Sequence, residues 1–152
     1  IEKKVGKRKT ACYDAILLIQ LRNGSRVSEA VRAFLEWIRT GKSEVEVPLS
    51  KKRKEERRLM VVPNELNQHQ VRQHCAELAS AESALVSRVK VYCRYTYGFN
   101  THSLRYSFVT YLLRQGVNPT LIAKITGHSK LDYILTYTQE KVAKDVLKSV
   151  QG

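Results

Sequence analysis

One short stretch of this chain alternates apolar and polar residues with a period of two, and it limits how much sheet the fold can contain. The stretch is EVEVPL at 44–49, with Val45, Val47 and Leu49 on one face. LMVV at 59–62 reads as the returning strand, stopped by Pro63. Between them, KKRKEERR at 51–58 reads as a charged hairpin tip. Pro48 has no N–H to give to a ladder, which places it at an edge or a bulge. The remaining periodic segments have helical spacing. The expected fold class is therefore mainly α with one small antiparallel β-ribbon.

The helices follow from apolar spacing and stop signals. ACYDAILLIQL at 11–21 is a strongly apolar helix ended by Asn23-Gly24. Ahead of it, IEKKVGKRKT at 1–10 reads as a loose basic leader or linker. A second helix, about 27–38, carries Ala30, Val31, Phe34, Trp37 and Ile38 inward and stops at Thr40-Gly41. Asn64 suits the N-cap of a helix to about 78, with Leu66, Val71, Cys75 and Leu78 inward. Ser80 suits the cap of another to 95, carrying Leu85, Val86, Val89, Tyr92 and Cys93. After a turn at 97–100, Thr101 or Ser103 caps a helix to Arg114. Asn118-Pro119 opens the next, with proline at the first helical position, and Gly127 closes it. A short helix at 131–139 and a final amphipathic one at 140–150 complete the chain, the latter with Val142, Val146, Leu147 and Val150.

A chain of 152 residues is one domain with room for a core. It begins with Ile, as expected of a fragment of a longer protein. It has no run of eighteen apolar residues, so no membrane span is expected, and no signal peptide is evident. Cys12, Cys75 and Cys93 lie far apart without a C-x-x-C pair and are expected to be reduced and buried, as in a cytosolic protein. The net charge of +13 favours an anionic partner, nucleic acid first. Charge alone does not separate an enzyme from a non-specific binder. There is no acidic cluster for a divalent cation and no P-loop glycine pattern. His69, His74 and Cys75 are poorly spaced for one metal ion, so no cofactor or metal is expected.

The residues with chemical potential concentrate at 100–139. His102 and Arg105 stand three apart and share a helical face. Gly127-His128-Ser129 ends the following helix, and Tyr137 lies nine residues beyond His128. Upstream by about eighty residues is Gly24-Ser-Arg26-Val-Ser-Glu29. Together these resemble the catalytic domain of the tyrosine recombinases, the lambda-type integrases of phages and archaeal mobile elements. That family reads G-x-R-x-x-E, then H-x-x-R, then L-I/L-x-x-x-x-G-H-S, then a tyrosine about nine positions on. The family usually has Thr where this chain has Asn23. Singly, each box is weak: G-x-R-x-x-E alone is most often a surface ion pair, and a lone histidine is most often structural.

The resemblance covers most of the chain and implies a metal- and ATP-independent DNA strand exchange. Tyr137 would attack the scissile phosphate, giving a 3′-phosphotyrosyl link and a 5′-hydroxyl. Tyr133, one turn earlier, is its competitor. Arg26 and Arg105 would clamp the phosphate, since each guanidinium fork donates two parallel bonds. Glu29 would orient Arg26. His102 would accept the phenol proton or donate to the phosphate, and His128 would donate to a non-bridging oxygen. A lysine of the hairpin would be the acid for the leaving oxygen: Lys51 by the parity of Val45, Val47 and Leu49, with Lys52 second. Lys52, Arg53 and Lys54 otherwise read as phosphate contacts or a solvated tip.

The resemblance further implies double-stranded DNA attachment sites as partner and a homotetramer on DNA, with the isolated domain a monomer. Residues 1–152 would be the catalytic domain, with an N-terminal core-binding domain absent and the location cytoplasmic, on DNA in a prokaryotic host. The 140–150 helix would dock on a neighbour or pack on its own domain. Two other readings stand beside this one: a type IB topoisomerase, sharing the chemistry without exchange, and a non-catalytic DNA-binding module of the same fold.

Overall fold

A computed structural model describes residues 2–49, 56–66, 69–76, 82–127 and 131–152, the side chains of 2–9, 69–70, 131–138 and 141–142 excepted. Helix α1 (Glu2–Asn23) contains the expected apolar segment but starts at Glu2 rather than Ala11. The basic stretch expected to be loose is therefore helical. Helix α2 (Val27–Thr40) ends where Gly41, at φ 76°, turns left-handed and donates its N–H to the Trp37 carbonyl at 2.8 Å.

Strands β1 (Glu44–Pro48) and β2 (Arg57–Val61) pair antiparallel, with Val45 opposite Met60 and Val47 opposite Arg58. Val45, Val47 and Leu49 are buried, as their parity requires. The returning strand starts two residues earlier than expected. Arg58 thereby leaves the supposed charged tip and joins Met60 and Val62 on the inner face.

Where a helix is expected from Asn64, a 3-10 turn (Asn64–Leu66) comes first and α3 spans His69–Ala76; the expected end at about Leu78 and the Ser80 cap lie outside the described residues. The Leu66 N–H closes the turn on the Pro63 carbonyl at 3.0 Å. Then come α4 (Glu82–Tyr97), α5 (His102–Arg114), α6 (Pro119–Thr126) and α7 (Leu131–Val150). The two helices expected after residue 131 are one: neither Gly nor Pro interrupts residues 131–150. Thr101 holds the N-cap position of α5 as expected, but its side chain makes no capping bond. Asn100 Oδ1 accepts the His102 N–H at 3.1 Å, while Thr101 is buried. At α6 the expected signals operate as read: Asn118 accepts the Thr120 N–H at 2.8 Å and Pro119 holds the first turn.

The main core joins α1, α2, the ribbon, α3 and α4 through Ile16, Ile19, Phe34, Trp37, Met60 and Leu85. A smaller cluster of Val109, Ile122 and Ala123 lies between α5 and α6. Of the cysteines, only Cys93 is a free buried thiol, and burial raises its pKa. Cys12 and Cys75 form a disulfide joining α1 to α3, with Cα atoms 5.8 Å apart. The expectation of three reduced cysteines is thus corrected. A sequence separation of 63 conceals that the two side chains face each other across the core. Among the described residues no helix is long and apolar enough to cross a membrane.

Candidate active site

The site begins at the turn between α1 and α2. Gly24 stands at φ 59°, and a Cβ there would collide with the ring of Phe108 from α5. Glycine is needed both for the turn and for the approach of α5. Gln20, fully buried in the apolar helix, donates through Nε2 to the Ser25 carbonyl at 3.1 Å and the Thr101 carbonyl at 3.0 Å. One side chain thus ties the start of α2 to the start of α5. The Asn23 amide pairs with β2 at Val61: Nδ2 donates to the Val61 carbonyl and the Val61 N–H donates to Oδ1, each at 2.9 Å. A second bond from Nδ2 reaches the Ile19 carbonyl at 2.8 Å.

Arg26 occupies the N-cap of α2 in extended backbone, and its N–H donates to Glu29 Oε1 at 3.0 Å. The Glu29 side chain is fully buried, and a carboxylate taken out of water requires compensating charge. It receives three guanidinium groups. Arg26 Nη1 stands 3.7 Å from Oε2, Arg105 Nη1 of α5 3.7 Å from Oε1, and Arg58 Nη1 of β2 3.9 Å from Oε1. Arg58 and Arg105 are buried, whereas the Arg26 side chain is 26% exposed.

Three cations therefore share one anion, and Arg26 is the most exposed of them. Burial pushes the Arg105 guanidinium down to about 10, with Arg26 alongside adding to the effect and Glu29 opposing it. Arg58 is lowered by burial too, opposed by Glu29. Arg105 remains protonated at neutral pH. The N-terminal end of the α2 dipole adds to the positive field. Chemically, the arrangement suits an anion with several oxygens, and guanidinium forks match phosphate.

His102 is exposed at the first position of α5, its ring edge-on to Tyr106 with centroids 4.9 Å apart. Arg105, three residues on, is buried beneath it, so this face of α5 runs from solvent to the arginine cluster. Gly127 ends α6 at φ 75°, and a Cβ on it would collide with Leu49, beyond the end of β1. The base of the ribbon thus packs against the turn that precedes His128. His128 lies outside the described residues, as do Lys51, Lys52, Arg53 and Lys54. Tyr133 and Tyr137 lie one turn apart on α7, which packs on α6 and α5.

Among the expected site residues, the fold brings Arg26, Glu29 and Arg105 together and begins the same α5 with His102. Three contributors were not evident in the sequence: Arg58, Gln20 and Asn23. A signal existed for Arg58, which shares the even parity of Met60 and Val62. Gln20 gave none beyond a polar residue within an apolar helix, and Asn23 gave only its place before Gly24, where the family usually has Thr.

The fold is a helical domain with a two-stranded ribbon and a recessed arginine cluster at a helix start. The chain belongs to the phage integrase family, whose model matches residues 3–144. It is 40% identical over 138 residues to the "Putative integrase ORF241" of Acidianus two-tailed virus, covering 91% of this chain and 56% of that protein. It is 31% identical over 167 residues to an uncharacterized protein of Methanocaldococcus jannaschii, covering 93% of this chain and 74% of that one. A Sputnik virophage protein also named as an integrase is 28% identical over 158 residues, covering 88% and 69%. The chain thus spans little more than half the length of the first of these relatives. No solved structure matches it.

Proposed function

We propose that this chain is the catalytic domain of a site-specific DNA recombinase that cuts and rejoins strands through a 3′-phosphotyrosyl intermediate. The observation that carries the reading is the cluster of Arg26, Arg58 and Arg105 around buried Glu29: its net positive charge, open at Arg26, is satisfied by a phosphate. Membership of the phage integrase family and the net charge of +13 support DNA as the bearer of that phosphate.

In this mechanism Arg26 and Arg105 hold the non-bridging oxygens of the scissile phosphate. They stabilise the charge that builds as the Tyr137 phenolate attacks. A free phenol has a pKa of about 10, so attack at neutral pH needs the cationic field and a proton acceptor; the exposure of His102 at the start of α5 supports that role for it. His128 donates to the phosphate. Lys51, with Lys52 as the alternative, protonates the leaving 5′-oxygen, and Lys52, Arg53 and Lys54 contact flanking phosphates. The reverse attack by a partner strand's 5′-hydroxyl rejoins the DNA, so neither metal nor ATP is consumed. The working unit is a homotetramer on two DNA sites. Exposed Val146, Leu147 and Val150 on α7 support docking on a neighbour rather than on the chain's own core.

A nicked suicide substrate carrying the attachment sequence, incubated in chelator, tests the reading. The expected result is a covalent protein–DNA band from wild type and Tyr133→Phe, absent from Tyr137→Phe. Loss in Tyr133→Phe alone moves the nucleophile by one turn. A protein that binds the DNA but gives no band in any variant is a binding module.

A further inference from the structure

Arg58 sits behind the clamp. Its side chain is 3% exposed, and both ends of its fork are occupied by backbone: Nη2 donates to the Asn23 carbonyl at 2.5 Å and Nη1 to the Thr126 carbonyl at 3.3 Å. Asn23 immediately precedes the Gly24 turn that delivers Arg26. Thr126 immediately precedes Gly127-His128. One guanidinium on β2 therefore fastens the two turns that carry clamp residues, from α1 and from α6, to the ribbon that leads to the hairpin lysines. Thr126 is itself fully buried, its Oγ1 donating to the Ile122 carbonyl at 2.9 Å.

The same Nη1 lies 3.9 Å from Glu29 Oε1, the oxygen that also faces Arg105 Nη1 at 3.7 Å. Glu29 thus divides its attraction among three cations. Without Arg58 the carboxylate would have only Arg26 and Arg105 to neutralise it and would draw both guanidinium groups towards itself, away from an incoming phosphate.

We propose that Arg58 is a positioning residue of the phosphate clamp, one that holds Arg26 and Arg105 towards the substrate by sharing Glu29 and by bonding the Asn23 and Thr126 carbonyls. The proposal rests on the DNA-cleavage reading above. Arg58 does not touch DNA; it acts through the two arginines that do. A lysine in its place keeps a charge but loses the planar fork that spans two carbonyls on separate elements.

The test is single-turnover cleavage of the nicked duplex by the full chain, comparing wild type, Arg58→Met, Arg58→Lys and Arg26→Ala. Each is measured on an ordinary scissile phosphate and on a methylphosphonate, which lacks the negative charge that the clamp serves. Arg58→Met is expected to slow cleavage of the ordinary phosphate on the order of a hundredfold and of the methylphosphonate less than about tenfold, with DNA affinity unchanged. Arg58→Lys should fall between wild type and Arg58→Met, and it is the variant scored if Arg58→Met does not melt cooperatively. An equal loss on both substrates would make Arg58 a brace of the fold alone and overturn the proposal, as would no loss on either. If Arg26→Ala cuts the ordinary phosphate as fast as wild type, the clamp itself is wrong, and that failure is separate from any result at Arg58.

Discussion

Around Glu29 the charged side chains are recessed and share one carboxylate, and Arg58 is bonded to the backbone of the two turns that end α1 and α6, while on α7 every described side chain is exposed, including Val146, Leu147 and Val150. The two regions belong to one proposed reaction and are built in opposite ways. A clamp for a phosphate gains from burial, because a fixed cation in a low-dielectric surround acts more strongly on the anion and needs no rearrangement when charge develops. The helix bearing Tyr133 and Tyr137 lies against α6 and α5 and contributes nothing described to either core cluster. Its outer apolar residues Val146, Leu147 and Val150 are exposed among the described residues. The arginine cluster is thus held by the chain's own described residues, whereas the last helix is suited to being placed by what it meets.

The largest expected effect that could break this comparison is at Glu29. Glu29→Gln leaves three arginines, two of them buried, without their shared carboxylate and should lower stability by about 3–5 kcal/mol, read from the urea midpoint. A loss below about 1 kcal/mol would mean that the cluster is hydrated and not the rigid site described. Next is the Cys12–Cys75 link between α1 and α3. By the chain-entropy argument its reduction should lower stability by up to about 4 kcal/mol, while leaving cleavage by the folded protein unchanged. Cleavage lost before unfolding would tie that link to the clamp. The smallest effect is expected on α7. Leu147 is 63% exposed, so Leu147→Ser should change monomer stability by less than about 0.5 kcal/mol, yet reduce assembly on DNA measured by sedimentation. A large drop in monomer stability would show that the stripe packs on its own domain and would remove the contrast.

Much of this was legible in sequence order. EVEVPL gave the parity that buries Val45, Val47 and Leu49. Asn118-Pro119 and Gly127 marked both ends of α6, because capping and left-handed backbone are local properties of those residue types. Arg26 and Glu29 stand three apart at the start of α2, just after the Gly24 turn, so their association was predictable from spacing, and His102 and Arg105 were placed on one helix in the same way. Boundaries that depend on continuation were read less well. α1 begins at Glu2, and 131–150 is a single helix, since a polar or basic composition does not by itself interrupt an α-helix.

By itself, then, the sequence determined the helical architecture with its one ribbon, the excess of positive charge and the boxes whose residues share a turn or a helix face. These depend on interactions between residues a few positions apart. Only the tertiary structure decided that Arg105 and Arg58 converge on the carboxylate that orients Arg26, that Asn23 and Gln20 tie α1 to β2, the α2 turn and the start of α5, and that Cys12 meets Cys75. Each of those depends on which faces of distant elements are driven together when the core excludes water. No local pattern along the chain encodes which partner a buried polar group will find.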